Sequence, residues 1–144
     1  MIFWKKPISI EILNQMIQDT IDTTLGIEFL DIGDNSISAR MPVDKRTCQA
    51  WGRLHGGANL VLAETLASYA TYFASDTDVR CVGIEINANH LLGVRRGFVT
   101  GTASPLYLGQ STQVWSVEVK NESGKLSCIS RVTMATFKHK SKNS

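Results

Sequence analysis

Residues 56–75 contain a single charged side chain, Glu64, and this run limits the possible folds more than any other feature. A helix over this run would extend about 30 Å at 1.5 Å per residue. Polar residues interrupt it, and its C-terminal flank has acidic Asp76 where a membrane span would favour Lys or Arg. We therefore predict a long helix that is enclosed by protein, with Glu64 as a carboxylate on a buried helix.

The segments around this helix predict a single antiparallel sheet. Residues 9–20 have helical spacing with Ser9 as the N-cap, and residues 27–32 and 37–41 form a hairpin around a Gly-Asp-Asn turn. Four more strands follow the long helix, joined by short turns: 82–92, 98–106, 113–119 and 126–137. We predict one α+β domain over residues 1–144, with the sheet wrapped around the long helix. One sheet cannot enclose a helix completely, so we expect a second copy of the chain to complete the cover.

Composition and spacing exclude several classes of function. The net charge is +2 and the basic residues are scattered, which disfavours nucleic-acid binding. Three cysteines without paired spacing argue against a disulfide framework and a zinc site, and the histidines lack metal-ligand spacing. The N-terminus does not have the order of a secretory signal. We expect a cytoplasmic protein with reduced thiols, no metal, no cofactor and no membrane segment.

Two glycines, Gly56 and Gly57, stand where the long helix is predicted to begin. The first backbone N–H groups of a helix have no internal partner, and the helix dipole adds partial positive charge there. Glycine lets a ligand oxygen approach closely. Such a site suits the oxyanion that forms when a carbonyl is attacked. Taken alone, the glycine pair is better explained by a tight turn into the helix.

Glu64 lies about two helical turns further on. An unpaired charge in an apolar helix is costly, and such carboxylates are enriched at functional sites. The structural alternatives are a buried Arg or Lys partner, or a gap open to solvent. Ser68 lies one turn beyond Glu64. Taken alone, it is expected to hydrogen-bond back to the carbonyl of Glu64 or Thr65, and the alternative is that it holds water or a substrate group. His55 is either a donor or a helix cap, and His90 alone would be interpreted as a surface residue.

The combination Gln49-x-x-Gly52-x-x-His55-Gly56-Gly57-Ala58, with Glu64 seven residues after Gly57, resembles the hotdog-fold acyl-CoA thioesterases. The likeness is to the branch of second-type 4-hydroxybenzoyl-CoA thioesterases and 1,4-dihydroxy-2-naphthoyl-CoA hydrolases. It continues through residues 41–44, 83–90 and 105–109. There is no G-x-S-x-G elbow and no phosphate-binding loop, which disfavours serine hydrolases and NTPases.

The resemblance implies a role for each residue of the motif. Glu64 would attack the thioester carbonyl or activate water, and the N–H of Gly56 would polarise the carbonyl. Gln49 and His55 would orient the thioester and the attacking water or departing thiolate, and Ser68 would line the acyl pocket. The site would lie between two subunits, with Glu64 and Gly56 from different chains, and two dimers would pair into a tetramer. The remaining substrate-binding residues that the resemblance implies are Gly83, His90, Leu91, Leu92, Gly93, Tyr107, Leu108, Gly109, Gln110, Ser111 and Thr112.

Several functions remain open at this stage. The expected substrate is an aromatic acyl-CoA, and a broad-range acyl-CoA or aryl-carrier-protein thioesterase is the alternative. Dehydratases of the same fold are disfavoured because their His-Phe-Pro-Gly type motif is absent. A non-catalytic acyl-CoA-binding module is disfavoured by Glu64, since binding alone does not need a carboxylate beside the thioester. Ala50, Trp51 and Tyr107 depart from the family pattern and bear on the acyl group, not on the reaction.

Overall fold

The computed structural model describes residues 3–140, in which one six-stranded antiparallel sheet curls around one long helix. The strand order is β1-β2-β4-β5-β6-β3. The predicted α+β class and the antiparallel sheet around a long helix are confirmed, and the architecture is the hotdog fold. No helix among residues 3–140 has the length and apolar character needed to cross a membrane. The elements in chain order are α1 (Ile10–Met16), α2 (Ile21–Thr24), β1 (Glu28–Ile32), β2 (Ile37–Pro42), α3 (Gly56–Phe73), β3 (Val79–His90), β4 (Phe98–Leu108), β5 (Thr112–Lys120) and β6 (Leu126–Lys138).

The N-terminal helix is interrupted where the sequence pattern predicted continuity. The Ser9 side chain accepts a hydrogen bond from the N–H of Ile12, as predicted for an N-cap. Helix α1 ends at Met16 and not at residue 20, because Asp19 adopts a left-handed conformation with φ of 59°. Thr20 then caps a second short helix by accepting from the N–H of Asp22. This restart turns Asp22 into a buried position against α3.

The inner face of the sheet and α3 form the core. Leu62 and Leu66 of α3 are fully buried, and each buried leucine contributes about 2 kcal/mol of transfer free energy. Gly101 of β4 lies opposite them, and a Cβ added there would stand 2.8 Å from Leu66 Cδ1. Glycine at this position therefore lets the middle of the sheet approach the helix closely, which fixes the depth at which α3 sits in the sheet.

The C-terminal end of α3 is held by the segment that precedes α1. The Nζ of Lys6 donates hydrogen bonds to the carbonyls of Tyr72, Ser75 and Asp76 at 2.6, 2.9 and 2.9 Å. The same ammonium lies 4.1 Å from the centroid of the Tyr72 ring. A positive group satisfies the carbonyls that a helix end leaves unpaired and opposes the negative end of the helix dipole. The N-terminal segment is thereby tied to the helix that carries Glu64.

Strand β3 lies at the edge of the sheet and contains a β-bulge. Its register with β6 shifts between Gly83 and Glu85, so that Gly83 pairs with Met134 and Ile86 pairs with Val132. Met134 and Val132 are core residues, so Gly83 and Ile86 both face α3 although they are three positions apart. The sequence pattern of Val82, Ile84, Ile86 and Ala88 predicts one unbroken alternation along this strand, and the bulge shows that prediction to be wrong. Val82 and Ile84 are 51% and 59% exposed, on a strand edge that no described residue covers.

One face of α3 is open in the single chain. Val61 and Ser68 are half-buried, and Glu64 between them is exposed. The exposure of Glu64 within one chain agrees with the expectation that a single sheet does not enclose the helix completely. The sheet wraps only part of α3, and α2 covers only one side of the remaining face. Glu64 thus lies where neither the sheet nor α2 covers α3.

Candidate active site

The start of α3 is capped by His55. Its Nδ1 accepts a hydrogen bond of 2.8 Å from the N–H of Gly57. A neutral imidazole that accepts at Nδ1 carries its proton at Nε2, so the outer edge of the exposed ring is a hydrogen-bond donor. The two interpretations of this histidine, cap and donor, are therefore compatible in one geometry.

The backbone N–H of Gly56 at the start of α3 has no partner within the part of the chain that the structure describes. None of the backbone hydrogen bonds among residues 3–140 uses its N–H, which points out of the first turn of α3. A Cβ added to Gly56 would lie 2.7 Å from Nε2 of His90, at the end of β3. Glycine therefore allows the His90 ring to rest on the helix start. His90 is exposed, as expected for a surface residue, but its ring also packs against Gly56 at the start of α3.

The loop before α3 is fixed by Gln49. The side-chain carbonyl of Gln49 accepts from the N–H of Trp51, and its backbone N–H donates to the carbonyl of Arg53 at 2.8 Å. Its side-chain NH₂ donates no hydrogen bond within residues 3–140, so it is available to a ligand. A cavity of about 350 Å³ lies here, bounded by Gln49, Arg53, Leu54, Gly56, Asn59, His90, Leu91, Leu92, Gly93, Val94 and Ser127.

Glu64 lies in a second cavity of about 350 Å³. Its carboxylate forms no ion pair and accepts no hydrogen bond within the described chain, so the alternative of a buried Arg or Lys partner is excluded there. One carboxylate oxygen rests against Gly83 of β3, where an added Cβ would be 2.5 Å from Oε1. The walls of this cavity are Ile21, Asp22, Val61, Glu64, Thr65, Ser68 and Tyr69.

Ser68 faces the same cavity as Glu64. Its hydroxyl lies 4.0 Å from the sulfur of Met134 and does not bond back to a carbonyl of the preceding turn. The expectation of such a back-bond is therefore wrong. The hydroxyl remains available to water or substrate beside the Glu64 carboxylate.

The predicted substrate-binding residues do not come together within one chain. His90 to Gly93 lie beside the start of α3, whereas Leu108, Gly109 and Gln110 line a third cavity, of about 650 Å³, at the other end of the helix. Tyr107 ends β4 with Leu108, Thr112 begins β5, and Ser111 lies in the turn between them, where the Gly109 N–H donates to the Thr112 carbonyl at 2.9 Å. Strand β3 connects the two regions over roughly 36 Å at 3.3 Å per residue. Glu64, beside Gly83, lies between them.

Sequence reasoning missed Asp22, a carboxylate that is only 6% exposed in the wall of the Glu64 cavity. Its Oδ1 accepts a hydrogen bond from the hydroxyl of Thr65, the residue after Glu64. Burial raises the pKa of the Tyr69 phenol in the same wall, and the negative charge of Asp22 adds to that rise. The signal available in the sequence was the cap pattern Thr20-x-Asp22, which the longer helix prediction concealed.

Comparison with known proteins agrees with this geometry. The model of the thioesterase superfamily matches residues 52–128, which include the start of α3, Glu64 and strands β3 to β5. A putative esterase of Vibrio cholerae is 54% identical over 135 residues, covering 94% of this chain and 90% of the relative. The 1,4-dihydroxy-2-naphthoyl-CoA hydrolase of Escherichia coli is 47% identical over 132 residues, covering 92% of this chain and 97% of the relative. A thioesterase of Haemophilus influenzae has a crystal structure that superposes with a TM-score of 0.95 at 42% identity, covering 99% of both chains. The chain belongs to the thioesterase superfamily and is a thioester hydrolase with the hotdog fold.

Proposed function

We propose that this thioesterase hydrolyses aromatic acyl-CoA thioesters, such as 1,4-dihydroxy-2-naphthoyl-CoA or a hydroxybenzoyl-CoA, with Glu64 as the catalytic carboxylate. The observation that carries the proposal is the unpaired carboxylate of Glu64 in a cavity beside Ser68. The activity named for the Escherichia coli relative supports the aromatic acyl group.

In this mechanism Glu64 attacks the thioester carbonyl, or removes a proton from the water that attacks it. The carbonyl oxygen gains negative charge and accepts a hydrogen bond from the N–H of Gly56 at the positive end of α3. His55 Nε2–H and the NH₂ of Gln49 donate to the thioester oxygen or hold the water and the departing thiolate. A single preorganised donor of this kind contributes about 10²- to 10³-fold to the rate.

We further propose that the active site is shared between two copies of the chain. Glu64 and Gly56 line different cavities of one chain, so neither cavity alone has both groups. On strand β3, Gly83 adjoins Glu64 and His90 adjoins Gly56. Antiparallel pairing of two β3 edges, centred between these positions, would bring Glu64 of one copy to Gly56 of the other. The exposed apolar side chains of Val82 and Ile84 fit such pairing. Two such dimers would form the predicted tetramer.

The activity is tested by measuring free thiol released from a panel of aromatic and straight-chain acyl-CoAs. We expect turnover of aryl-CoA by the wild type and a loss of about 10³-fold or more in Glu64→Gln, since a general acid–base group contributes up to about 10⁴-fold. Glu118→Gln is the matched control, because Glu118 is an exposed carboxylate on β5 that pairs only with Lys120 at 3.6 Å. It should retain the wild-type rate.

Each alternative predicts a different result on this panel. Equal rates with all acyl groups would favour a broad-range enzyme. Release of thiol from aryl-carrier protein alone would favour a carrier-protein thioesterase. Binding of acyl-CoA without any release of thiol would favour a binding module and contradict the proposal. An unchanged rate in Glu64→Gln would still agree with thioester hydrolysis but would refute Glu64 as the catalytic carboxylate. Oxygen-18 incorporation into Glu64 under single turnover would identify it as the nucleophile.

The shared site is tested by mixing two inactive variants. Glu64→Ala and Gln49→Ala chains are dissociated, combined in equal amounts and reassembled. With random pairing, half of the dimers are mixed and each mixed dimer has one intact site, so about a quarter of wild-type activity should return. A mixture that stays inactive, or a monomeric mass for the active wild type, would refute sharing.

A further inference from the structure

The wall of the Glu64 cavity contains a second carboxylate, Asp22, that the reaction proposed above does not use. The Asp22 residue is only 6% exposed, and no Lys, Arg or His within residues 3–140 forms an ion pair with it. A buried carboxylate is costly unless donors satisfy its oxygens. The donors that the chain itself supplies therefore determine what else this group can bind.

Only one of the two Asp22 oxygens has a good donor. Oδ1 accepts from the hydroxyl of Thr65. The donor nearest to Oδ2 is the Thr20 hydroxyl at 3.4 Å, but that hydroxyl lies 2.6 Å from the carbonyl of Ile17. A hydroxyl has one hydrogen, and the shorter contact takes it. Oδ2 is therefore left without a donor from the described chain. A purely structural role, tying α2 to α3, would need Oδ1 alone.

Asp22 borders the space into which the acyl group of a bound substrate would extend. Its partner Thr65 directly follows Glu64, so Asp22 and the catalytic carboxylate border one space. The carbonyl carbon must lie at Glu64, and the acyl group must continue into the adjoining space. Ile21, Val61 and Tyr69 give that space apolar walls that fit a flat ring. A carboxylate beyond such walls suits a hydrogen-bond donor on the ring.

We propose that Asp22 is a specificity-determining residue that accepts a hydrogen bond from a hydroxyl group on the acyl moiety. This inference rests on the proposed hydrolysis of aryl-CoA and assigns the recognition of the ring hydroxyl to one residue, Asp22. The same negative charge repels acyl groups that end in a carboxylate, which this enzyme should hydrolyse poorly.

The test compares kcat/KM for 2-, 3- and 4-hydroxybenzoyl-CoA with the value for benzoyl-CoA. We expect at least one hydroxyl position to be preferred by the wild type about 10- to 100-fold, the range for a hydrogen bond to a charged group. In Asp22→Asn, the amide oxygen can keep the Thr65 bond while the NH₂, which cannot accept, faces the cavity. The preference should fall, because an amide NH₂ can only donate to the ring hydroxyl and forms a weaker, neutral hydrogen bond, while hydrolysis of benzoyl-CoA is retained. Thr65→Val is the control, because it removes the tie between α2 and α3 but keeps the carboxylate, so the preference should persist.

Measurements on the wild type alone keep the proposal testable if the variants fail to fold. The methoxybenzoyl-CoA with its substituent at the favoured position cannot donate and should be no better a substrate than benzoyl-CoA. An equal preference for the methoxy and hydroxy compounds would overturn the role of Asp22. An unchanged preference in Asp22→Asn would also overturn this role. The same holds for an equal fall in kcat/KM for hydroxybenzoyl-CoA and benzoyl-CoA in that variant. Failure of the proposed function itself is distinct, since no thioester in the panel would then be hydrolysed.

Discussion

The substitution Gly83→Ala tests how the catalytic carboxylate is positioned. The added Cβ would lie 2.5 Å from Glu64 Oε1, whereas ordinary contact begins at 3.4 Å. The carboxylate must therefore move by about 0.9 Å. A misplacement of about 1 Å can cost about 10²-fold in rate, so we expect kcat to fall roughly 30- to 100-fold. The end of a glutamate side chain is flexible, and the thermal midpoint should change by less than about 2 °C, equivalent to under 1 kcal/mol for a domain of this size.

The assay is steady-state release of thiol from the preferred aryl-CoA, with thermal unfolding measured on the same preparations. Gly33→Ala is the matched control, because a Cβ there would also lie 2.5 Å from a side-chain oxygen, that of Ser36, in the turn between β1 and β2. It should leave kcat unchanged. Shortening the acid in the double variant Gly83→Ala, Glu64→Asp should relieve the crowding, so the two effects should not add. A wild-type kcat in Gly83→Ala, or full additivity, would refute the reasoning.

Three further predictions concern stability and thiol chemistry. Lys6→Met removes three hydrogen bonds from the end of α3 and should lower the free energy of unfolding by about 2–3 kcal/mol in urea titrations. Lys5→Met removes only an exposed ion pair with Asp76, so its free energy of unfolding should fall by less than about 1 kcal/mol. An equal fall in the two variants would contradict the capping role of Lys6. Burial raises the pKa of the Cys81 and Cys128 thiols, so iodoacetamide should label them slowly at pH 8 until urea is added, and labelling at the unfolded rate would contradict this. Because the unfolded chain releases these protons at lower pH, stability should fall as pH rises above about 8.5 in the wild type, and less so when both cysteines are replaced by alanine.

Local patterns were sufficient to predict most of the architecture. Residues 56–75 predicted one long helix because a run of that length with a single charged residue has few alternatives, and α3 spans Gly56–Phe73. The hairpin and the four later strands followed from alternation and turn residues, within a few residues at each end. The cap at Ser9 was predictable because it depends on a contact only three residues away.

The features that local patterns could not predict depend on contacts between distant segments. A left-handed backbone at Asp19 split one predicted helix in two, and this concealed Asp22. The bulge beside Gly83 shifts the alternation of β3 by one residue, which only the pairing with β6 reveals. The extent to which Glu64 is exposed in one chain depends on how far the sheet curls around the helix, which no local pattern specifies. The contact of His90 with Gly56 joins segments that no sequence spacing relates.

The open face of α3 has a consequence for how such an enzyme can evolve. Val61, Glu64 and Ser68 lie on the face that we propose is covered when a second copy binds. Mutations that reshape the acyl pocket would then also change the surface on which two chains associate. Selection for a new substrate would act on the dimerisation constant at the same time, and variants with an altered substrate range should need compensating changes along the edge of β3.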